Sequence, residues 1–544
     1  MTGRHAAPPP RSSSHLLSSP RRMIAFLVIC LVELLVVLDN TVVNVALPDI
    51  STDLRAGFTG LQWIVDAYIL TFCGLLLAFG NITDRIGRRR MLLIGVMGLA
   101  ATSVVGAVAD DLPQLIASRA LMGVFAAAAL PATLAVIIDL FRTPADRAVA
   151  IGVWASIAGV AIAIGPVSGG WLIEHFTWHS VFWLNVPVAA VAVIGIVAVV
   201  PESRAASTGP LDLPGVALSF AGVSLLVYAL IEAPGHGWVT VPTLGGIAVS
   251  LILLSTFVVR QSHVPSPILD VRLFRLRPFA MPALAISIAY FSLFGYVFLI
   301  TQYFQGVRGY SPLEFGVATL PFAVALAVSA PTATSLAQRI GTMPVIVAGL
   351  LLVGVGMVMA GQVGIDSSYV GLLLPTMIVL AVGIAVIQGP ATESIMSSVR
   401  IDEAGAGSAV NDTTRELGGT LGVAVLGSVT ASYYNTTVGP LVATIPSEIL
   451  PDRDREYVNG SVLSVQQIQQ YPVPEMFSAV RDNLVLSMKD AAMAGSEVAS
   501  YIAAAAVFAC AIVVAIMLPR HHRTTGVVMT CPEDTTRQFS ADER

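Results

Sequence analysis

The chain has 544 residues, 55% of them hydrophobic and only 12% charged, with a mean hydropathy of +0.80. Soluble chains carry about 25% charged residues, so a soluble globular fold is excluded. The net charge of −5 says little about partners, because basic and acidic groups are sorted along the chain by side.

Residues 1–22 are rich in Pro, Ser and Arg and read as a disordered tail. Fourteen apolar spans follow, at 23–47, 60–80, 91–109, 113–138, 148–171, 179–200, 213–232, 241–260, 280–304, 313–336, 344–361, 370–397, 409–431 and 496–518. Most are long enough for the roughly 20 residues that cross a bilayer as helix. A cleaved leader is the competing reading of Arg21–Leu47, but that run is too long and lacks a small-residue cleavage site. Most connections are short. The exceptions are 261–279, which is basic, and 432–495, which is polar, holds Asp452, Asp454, Glu456 and Glu475, and reads as a solvated cap. Residues 519–544 form a polar tail. Cys30, Cys73 and Cys510 fall in spans and Cys531 in the tail, so no disulfide or metal-ligand spacing appears.

Of the 29 Lys and Arg residues, 21 fall in segments that share one side of the membrane, whereas the short segments of the other side hold only Arg55 and Arg308. By the positive-inside rule both termini are cytoplasmic. A repeat is also visible. Thr83-Asp84-Arg85-Ile86-Gly87-Arg88 follows the second span, and Ala337-Gln338-Arg339-Ile340-Gly341-Thr342 follows the tenth. Two six-helix bundles, 23–200 and 280–518, with a two-helix insert in 201–279, give this spacing: an all-α polytopic membrane protein of 6 + 2 + 6 helices. Parallel halves around a midplane site are a transporter plan.

The first span carries Glu33, Asp39, Asn40 and Asn44, and an ionisable group inside a membrane helix is costly enough to be functional by default. At 3.6 residues per turn Glu33, Asn40 and Asn44 share a stripe, with Asp39 about a third of a turn away. Asp39, Arg119 in the fourth span and Asp66 in the second all lie about 9–12 Å below the outer ends of their helices. An Asp39–Arg119 pair is therefore expected, since Arg cannot usefully lose its proton. It reads either as a proton site or as a static ion pair. Glu33, near the midplane, reads as a proton site lining a central cavity or as a glutamate facing water. Glu393, Asp412, Arg415 and Glu416 form an expected second cluster, as a gate, a second proton site or structural glue. No His falls mid-span, so a proton relay runs on carboxylates. Phe291, Phe294 and Phe298, three and four apart, line either a greasy pocket or a packing face. Ala161, Gly165 and Gly169 make a small-residue face for close helix contact, beside a bend at Pro166.

Gly80-Asn81-Ile82-Thr83-Asp84-Arg85-Ile86-Gly87-Arg88-Arg89-Arg90 resembles the loop signature of the major facilitator superfamily. Leu38–Pro48 resembles the first-helix signature of its fourteen-helix drug/proton antiporter branch, and Gly152 with Gly165-Pro166-Val167-Ser168-Gly169-Gly170 resembles the fifth-helix motif associated with antiport. Trp63–Tyr68 and Ala406–Arg415 are also similar to that branch, especially its actinobacterial members. There are departures: Met122 where Arg-x-x-Gln-Gly is usual, Ala161 for Gly, and His179 for Arg. The resemblance implies a monomeric proton-driven exporter of hydrophobic, cationic or amphipathic drugs or metabolites in the plasma membrane. It needs no cofactor beyond the proton gradient and has no nucleic-acid partner. Taken with the residue reading above, it puts Asp39, Glu33, Asp66, Arg119 and Glu393 in proton coupling, and Asp84, Arg85, Gly87, Arg88, Asp412 and Arg415 in gating, with Asp84 pairing a basic group of the opposite bundle. Gly152, Gly165, Pro166, Gly169 and Gly170 would prevent leak, and Asn40, Asn44, Phe291, Phe294 and Phe298 would meet substrate. A proton-coupled uptake symporter, or an exporter of one narrow metabolite or lipid, is the alternative. A membrane enzyme or receptor is disfavoured, because the 432–493 loop has no Cys, no His and no phosphate-cradling motif.

Overall fold

The computed structural model describes residues 20–518 except 142, 205–210, 266, 399–403, 446–449, 451 and 471–477. Nearly all of the expected tails 1–22 and 519–544 therefore lies outside the described residues. Each apolar run is helical, because only a helix or a closed barrel satisfies backbone polar groups in hydrocarbon. The long helices are α1 (Pro20–Leu54), α2 (Phe58–Ile86), α3 (Arg88–Ala107), α4 (Leu112–Leu140), α5 (Pro144–His175) and α6 (Asn185–Val199, after a single turn Ser180–Trp183). They continue with α7 (Leu213–His236), α8 (Val241–Gln261), α9 (Arg277–Gln302), α10 (Pro312–Ile340), α11 (Thr342–Gly361), α12 (Leu374–Ser397), α13 (Ala404–Thr444) and α14 (Ser478–Met517).

Among the described residues, 13 helical stretches are long and apolar enough to cross a membrane. The remaining expected span lies in α13, whose 41 residues carry Asp412, Arg415 and Glu416. It packs between α9, α2 and α14. Helices outrun their apolar cores because polar caps start them outside the hydrocarbon. Asp111 accepts from Gln114 N at 2.7 Å ahead of α4, and Ser311 with Glu314 forms a capping box at α10.

The sequence repeat has a structural counterpart. Gly87 (φ 122) ends α2 and Gly341 (φ 95) ends α10, and the next helix starts at the following residue. So tight a reversal needs the positive φ that glycine tolerates. The packing repeats at an offset of eight helices. α4 holds α2 and α3 as α12 holds α10 and α11, and α1 lies on α5 and α6 as α9 lies on α13 and α14. The intervening hairpin of α7 and α8 places α7 against α2 of one set and α13 of the other. Its base is tied by Asp212, which accepts from Arg260 Nη2 at 2.6 Å and Gln261 Nε2 at 2.7 Å and caps α7 through Gly215 N. The Arg260 guanidinium holds the Asp212 carboxyl below the usual carboxylate range.

The expected solvated cap is corrected. α13 and α14 extend into 432–495, and the short helices Asp452–Gly460 and Val465–Gln470 bury Tyr457, Val458, Val462, Leu463, Val465 and Ile468. This apolar strip closes over the helix ends, so the segment is a packed lid. It defines a cap end of the molecule, opposite the basic end that carries the Gly87 and Gly341 turns.

A methyl group at Gly87 would meet the Glu202 carboxylate, whereas nothing lies within 4 Å of the corresponding point at Gly152. Gly87→Ala should lower stability by about 1–3 kcal/mol, and Gly152→Ala should leave it equal or slightly higher. Thermal unfolding in detergent, followed by intrinsic fluorescence, reads both.

Candidate functional site

A cavity of about 130 Å³ lies between the two sets. It takes Asn40, Thr41 and Asn44 from α1, Val65 and Ile69 from α2, and Ile162 and Pro166 from α5. Further lining comes from Tyr290, Leu293, Phe294, Tyr296 and Val297 of α9, Phe315, Thr319 and Phe322 of α10, Met377 and Ile384 of α12 and Val423 of α13. The lining is mostly apolar and aromatic, with the amides on α1 and hydroxyls on α1, α9 and α10, the composition of small-molecule sites in general. Phe294 is where the aromatic stripe predicted it. Phe291 and Phe298 are not in the lining: their side of α9 faces α13, where Gly422 approaches the Phe291 backbone and Gly427 the Phe298 ring. The cavity-facing stripe runs instead through Tyr290, Leu293, Phe294 and Val297.

Behind Asn40, inside the first set, Asp39 and Arg119 form the expected pair. Arg119 Nη1 donates to Asp39 Oδ2 at 2.8 Å, and both side chains are buried. Arg119 Nε donates to the Ile64 carbonyl at 3.2 Å, and its guanidinium carbon lies 4.3 Å from the centre of the Tyr68 ring. The other Asp39 oxygen accepts from Asn185 Nδ2 at 2.6 Å. Asn185 also donates to Ser103 Oγ, which donates to the Phe182 carbonyl. The charges are thus matched and both Asp39 oxygens are bonded, which a buried ion pair requires if it is not to cost more than it returns, while Arg119 Nη2 has no hydrogen-bond partner among the described residues. Asn185, Ser103 and Tyr68 are members the motif reading missed. The signal was there: Asn185 is an amide inside the sixth apolar run.

Glu33 lies elsewhere, against the second set. Its field couples it to Asp412, Arg415 and Glu416 of α13. Arg415 Nε donates to Glu416 Oε1 at 3.1 Å, its Nη1 lies 3.7 Å from Asp412 Oδ1, and its guanidinium stands 5.6 Å from the Tyr290 ring centre. Tyr290 therefore has the charge cluster on one side and the cavity on another. Glu393 does not join this cluster; it is exposed on α12, where the cluster's neighbour is Thr392, which donates to Asn411 Oδ1. Asp66 does not join the Asp39–Arg119 pair either. It is fully buried, and neither carboxylate oxygen has a hydrogen-bond partner.

The seams that α5 makes with α1 and with α10 are closed by small residues. Gly165 and Gly169 abut Thr41 and Val42 of α1, Gly170 abuts Pro312 and Leu313, and Gly316 abuts the Pro166 carbonyl. Hydrogen bonds between the two sets cluster towards the cap end. Gln62 Nε2 donates to the Val423 and Ala424 carbonyls at 3.0 and 3.1 Å, and Gln305 Nε2 donates to the Val45 carbonyl at 3.1 Å. The lid adds Ser51 to Tyr457 and Ser461, both at 3.4 Å, and Arg55 to Asp454 at 3.2 Å. At the basic end Asp84 pairs with Arg88 at 3.1 Å, and Arg88 bridges on to Asp139 at 2.5 Å. Asp84 is thus engaged within its own set, not with the basic group of the opposite set that was expected. Arg85 lies in the last turn of α2 beside them.

A family model described as Major Facilitator Superfamily matches residues 29–423. The chain belongs to that superfamily. It is therefore a multi-pass membrane transporter of small molecules, and not an enzyme. It is 34% identical over 503 residues to the protein named multidrug efflux pump LfrA of Mycolicibacterium smegmatis, covering 92% of this chain and 97% of that one. It is 37% identical over 421 residues to puromycin resistance protein pur8 of Streptomyces alboniger, covering 76% and 84%. The superfamily fold is also that of an inward-facing, occupied bacterial homologue of the lysosomal transporter Spinster, at a TM-score of 0.58 and 18% identity over 90% of this chain and 97% of that one.

Arg119→Met strands a buried carboxylate and should cost about 3–5 kcal/mol. The double variant Asp39→Asn with Arg119→Met should recover a large part of that loss. Thermal unfolding of the two proteins side by side checks the recovery, which would be missing if Arg119 acted only through its packing.

Proposed function

We propose that this transporter is a proton-driven antiporter that exports hydrophobic, cationic or amphipathic small molecules by alternating access. The observation that carries the reading is one apolar, aromatic cavity at the meeting of two six-helix sets, with the buried Asp39–Arg119 pair behind one wall and the part-buried Arg415–Glu416 pair behind another. Relatives named as efflux pumps and resistance proteins support the direction of transport. Protons bind the carboxylates among Asp39, Glu33 and Asp66, and Arg119 and Arg415 set how readily each proton leaves. Asn40, Asn44 and Phe294 meet the substrate, and Tyr290 passes a change in the Arg415 cluster to the cavity wall. Asp84, Arg88 and the 412–416 cluster gate the basic end, while Gly165, Gly169 and Gly170 seal the cap end against leak. Residues 23–200 and 280–518 rock as two bodies. The basic end faces the cytoplasm by the positive-inside rule, which puts both termini inside the cell membrane, and the protein works as a monomer.

One proton suffices energetically. Each charge crossing about 100 mV yields about 2.3 kcal/mol, and each pH unit adds about 1.4 kcal/mol.

Ethidium accumulation in cells expressing the chain should be low, and should rise both with an uncoupler and in the Asp39→Asn variant at equal protein level. Export that resists the uncoupler would sink the proton-driven reading. In the cysteine pair Ser51→Cys with Ser461→Cys, oxidation should stop export and reduction restore it. Undiminished export with the crosslink formed would show that the cap end does not open.

A further inference from the structure

The two-helix insert is unabsorbed by the site above, and so is the environment of Asp66. On α2, Val65 and Ile69 face the cavity, whereas Gln62 and Cys73 face α13, and Trp63 and Leu70 face α7. Asp66 falls between these last two sides at 100° per residue, so it points into the seam where α2, α7 and α13 meet. Apolar contacts close that seam, with Leu70, Val227, Ile231 and Ala424 fully or nearly fully buried in one cluster. Along it lie three sets of buried polar atoms without a partner: both Asp66 carboxylate oxygens, Gln62 Oε1 and Ser224 Oγ. Ser224 stands one and two turns from Val227 and Ile231, on the face that α7 turns to the seam. Buried polar atoms in native folds find partners, and where the protein offers none, ordered water that can make several hydrogen bonds does. At the cap-end mouth of the seam sits Glu232 of α7, part-buried, accepting from Trp63 Nε1 at 3.1 Å. Trp63 and Asp66 are successive members of one helix flank.

We propose that α7 of the insert completes a proton path separate from the substrate cavity, in which Glu232 receives protons at the cap end and passes them through seam water to Asp66. The proposal rests on the antiport reading and gives the insert a task within it. A proton leaves external water for the Glu232 carboxylate and moves on along hydrogen bonds to Asp66, so no redox partner is involved. Ser224 and Gln62 hold the water in file. The ionisable groups that face the path are Cys73 of α2, Glu416 of α13, and Tyr228 and His236 of α7, one turn either side of Glu232. α8 brings only Arg260, which Asp212 holds at the other end. Placing the path outside the cavity lets substrate and proton occupy the protein without sharing a binding surface.

The test uses the full chain in proteoliposomes with a trapped pH dye and ethidium as the lipophilic cation. Glu232→Gln should slow cation-driven proton movement several-fold and shift its dependence on cap-side pH, with ethidium affinity unchanged; Glu232→Asp should restore the rate. Wild-type rates and pH profile in Glu232→Gln would overturn the proposal. So would a loss of ethidium affinity in step with the rate, equalled by Trp63→Phe, because that outcome marks packing. Loss of proton movement in Asp66→Asn with Glu232→Gln intact would also overturn it, leaving the antiport reading standing. Only wild-type protein that moves ethidium without protons would sink that reading itself.

Discussion

A guanidinium in hydrocarbon cannot shed its proton, and much of the interior is arranged around that fact. Arg119 is fully buried, so Asp39, the Ile64 carbonyl and the Tyr68 ring must each stand where they do. Asn185 and Ser103 must then satisfy the oxygen of Asp39 that Arg119 leaves free. One residue on α4 thereby fixes the faces of α1, α2, α3 and α6. Arg415, about a quarter exposed, gathers Asp412 and Glu416 of its own helix and Tyr290 of α9, and its charge reaches across the interface to Glu33. The backbone repeat pairs α4 with α12 and α5 with α13, so the two arginines do not occupy equivalent helices. The frame is duplicated; its chemistry is not.

That asymmetry explains why the architecture was more legible in the chain than the site. The number and order of spans follow from a bilayer thickness that any apolar run must match. The Gly87 and Gly341 turns follow from a backbone angle that only glycine adopts freely. Both are local constraints, written in adjacent residues. The Asp39–Arg119 pair was readable for a related reason, since depth along two helices limits who can meet. Rotation about a helix axis is another matter. Phe291, Phe294 and Phe298 have helical spacing, yet which edge of that stripe meets the cavity depends on where Gly418 and Gly422 let α13 approach α9. Asp66 shares a depth with Asp39 but not a face. Glu393 has the right depth for the Arg415 cluster and the wrong side of α12.

The lid shows a different limit. Residues 432–495 are polar on average, which suits a solvated loop, but Tyr457, Val458, Val462, Leu463, Val465 and Ile468 gather on one side once the short helices form. Average polarity hides an amphipathic strip shorter than a membrane span. Its burial on the helix ends also supplies the contacts from Tyr457, Ser461 and Asp454 to α1 and its terminal turn. A segment that composition alone would leave in water is thus one of the ties between the two sets.

All of these ties converge on α1. Glu33 on its interface stripe answers to the Arg415 cluster, and Asn40 and Asn44 on that stripe wall the cavity. Asp39, a third of a turn round, is held by Arg119 and Asn185. Thr41 and Val42 lie under Gly165 and Gly169 of α5, and the Val45 carbonyl accepts from Gln305 of the opposite set. Glu33 to Val45 spans about 18 Å along one helix, so these contacts sit on a single stiff rod with no loop between them. A rotation or slide of α1 large enough to alter the Asp39 pair must also change the cavity wall, the glycine seam and the Glu33 field. Tyr290 reaches the cavity from the other set and touches the Arg415 cluster, which closes the circuit on the far side. Coupling of charge state to cavity shape in this fold therefore needs no relay of many residues, because one helix already carries a group of each kind.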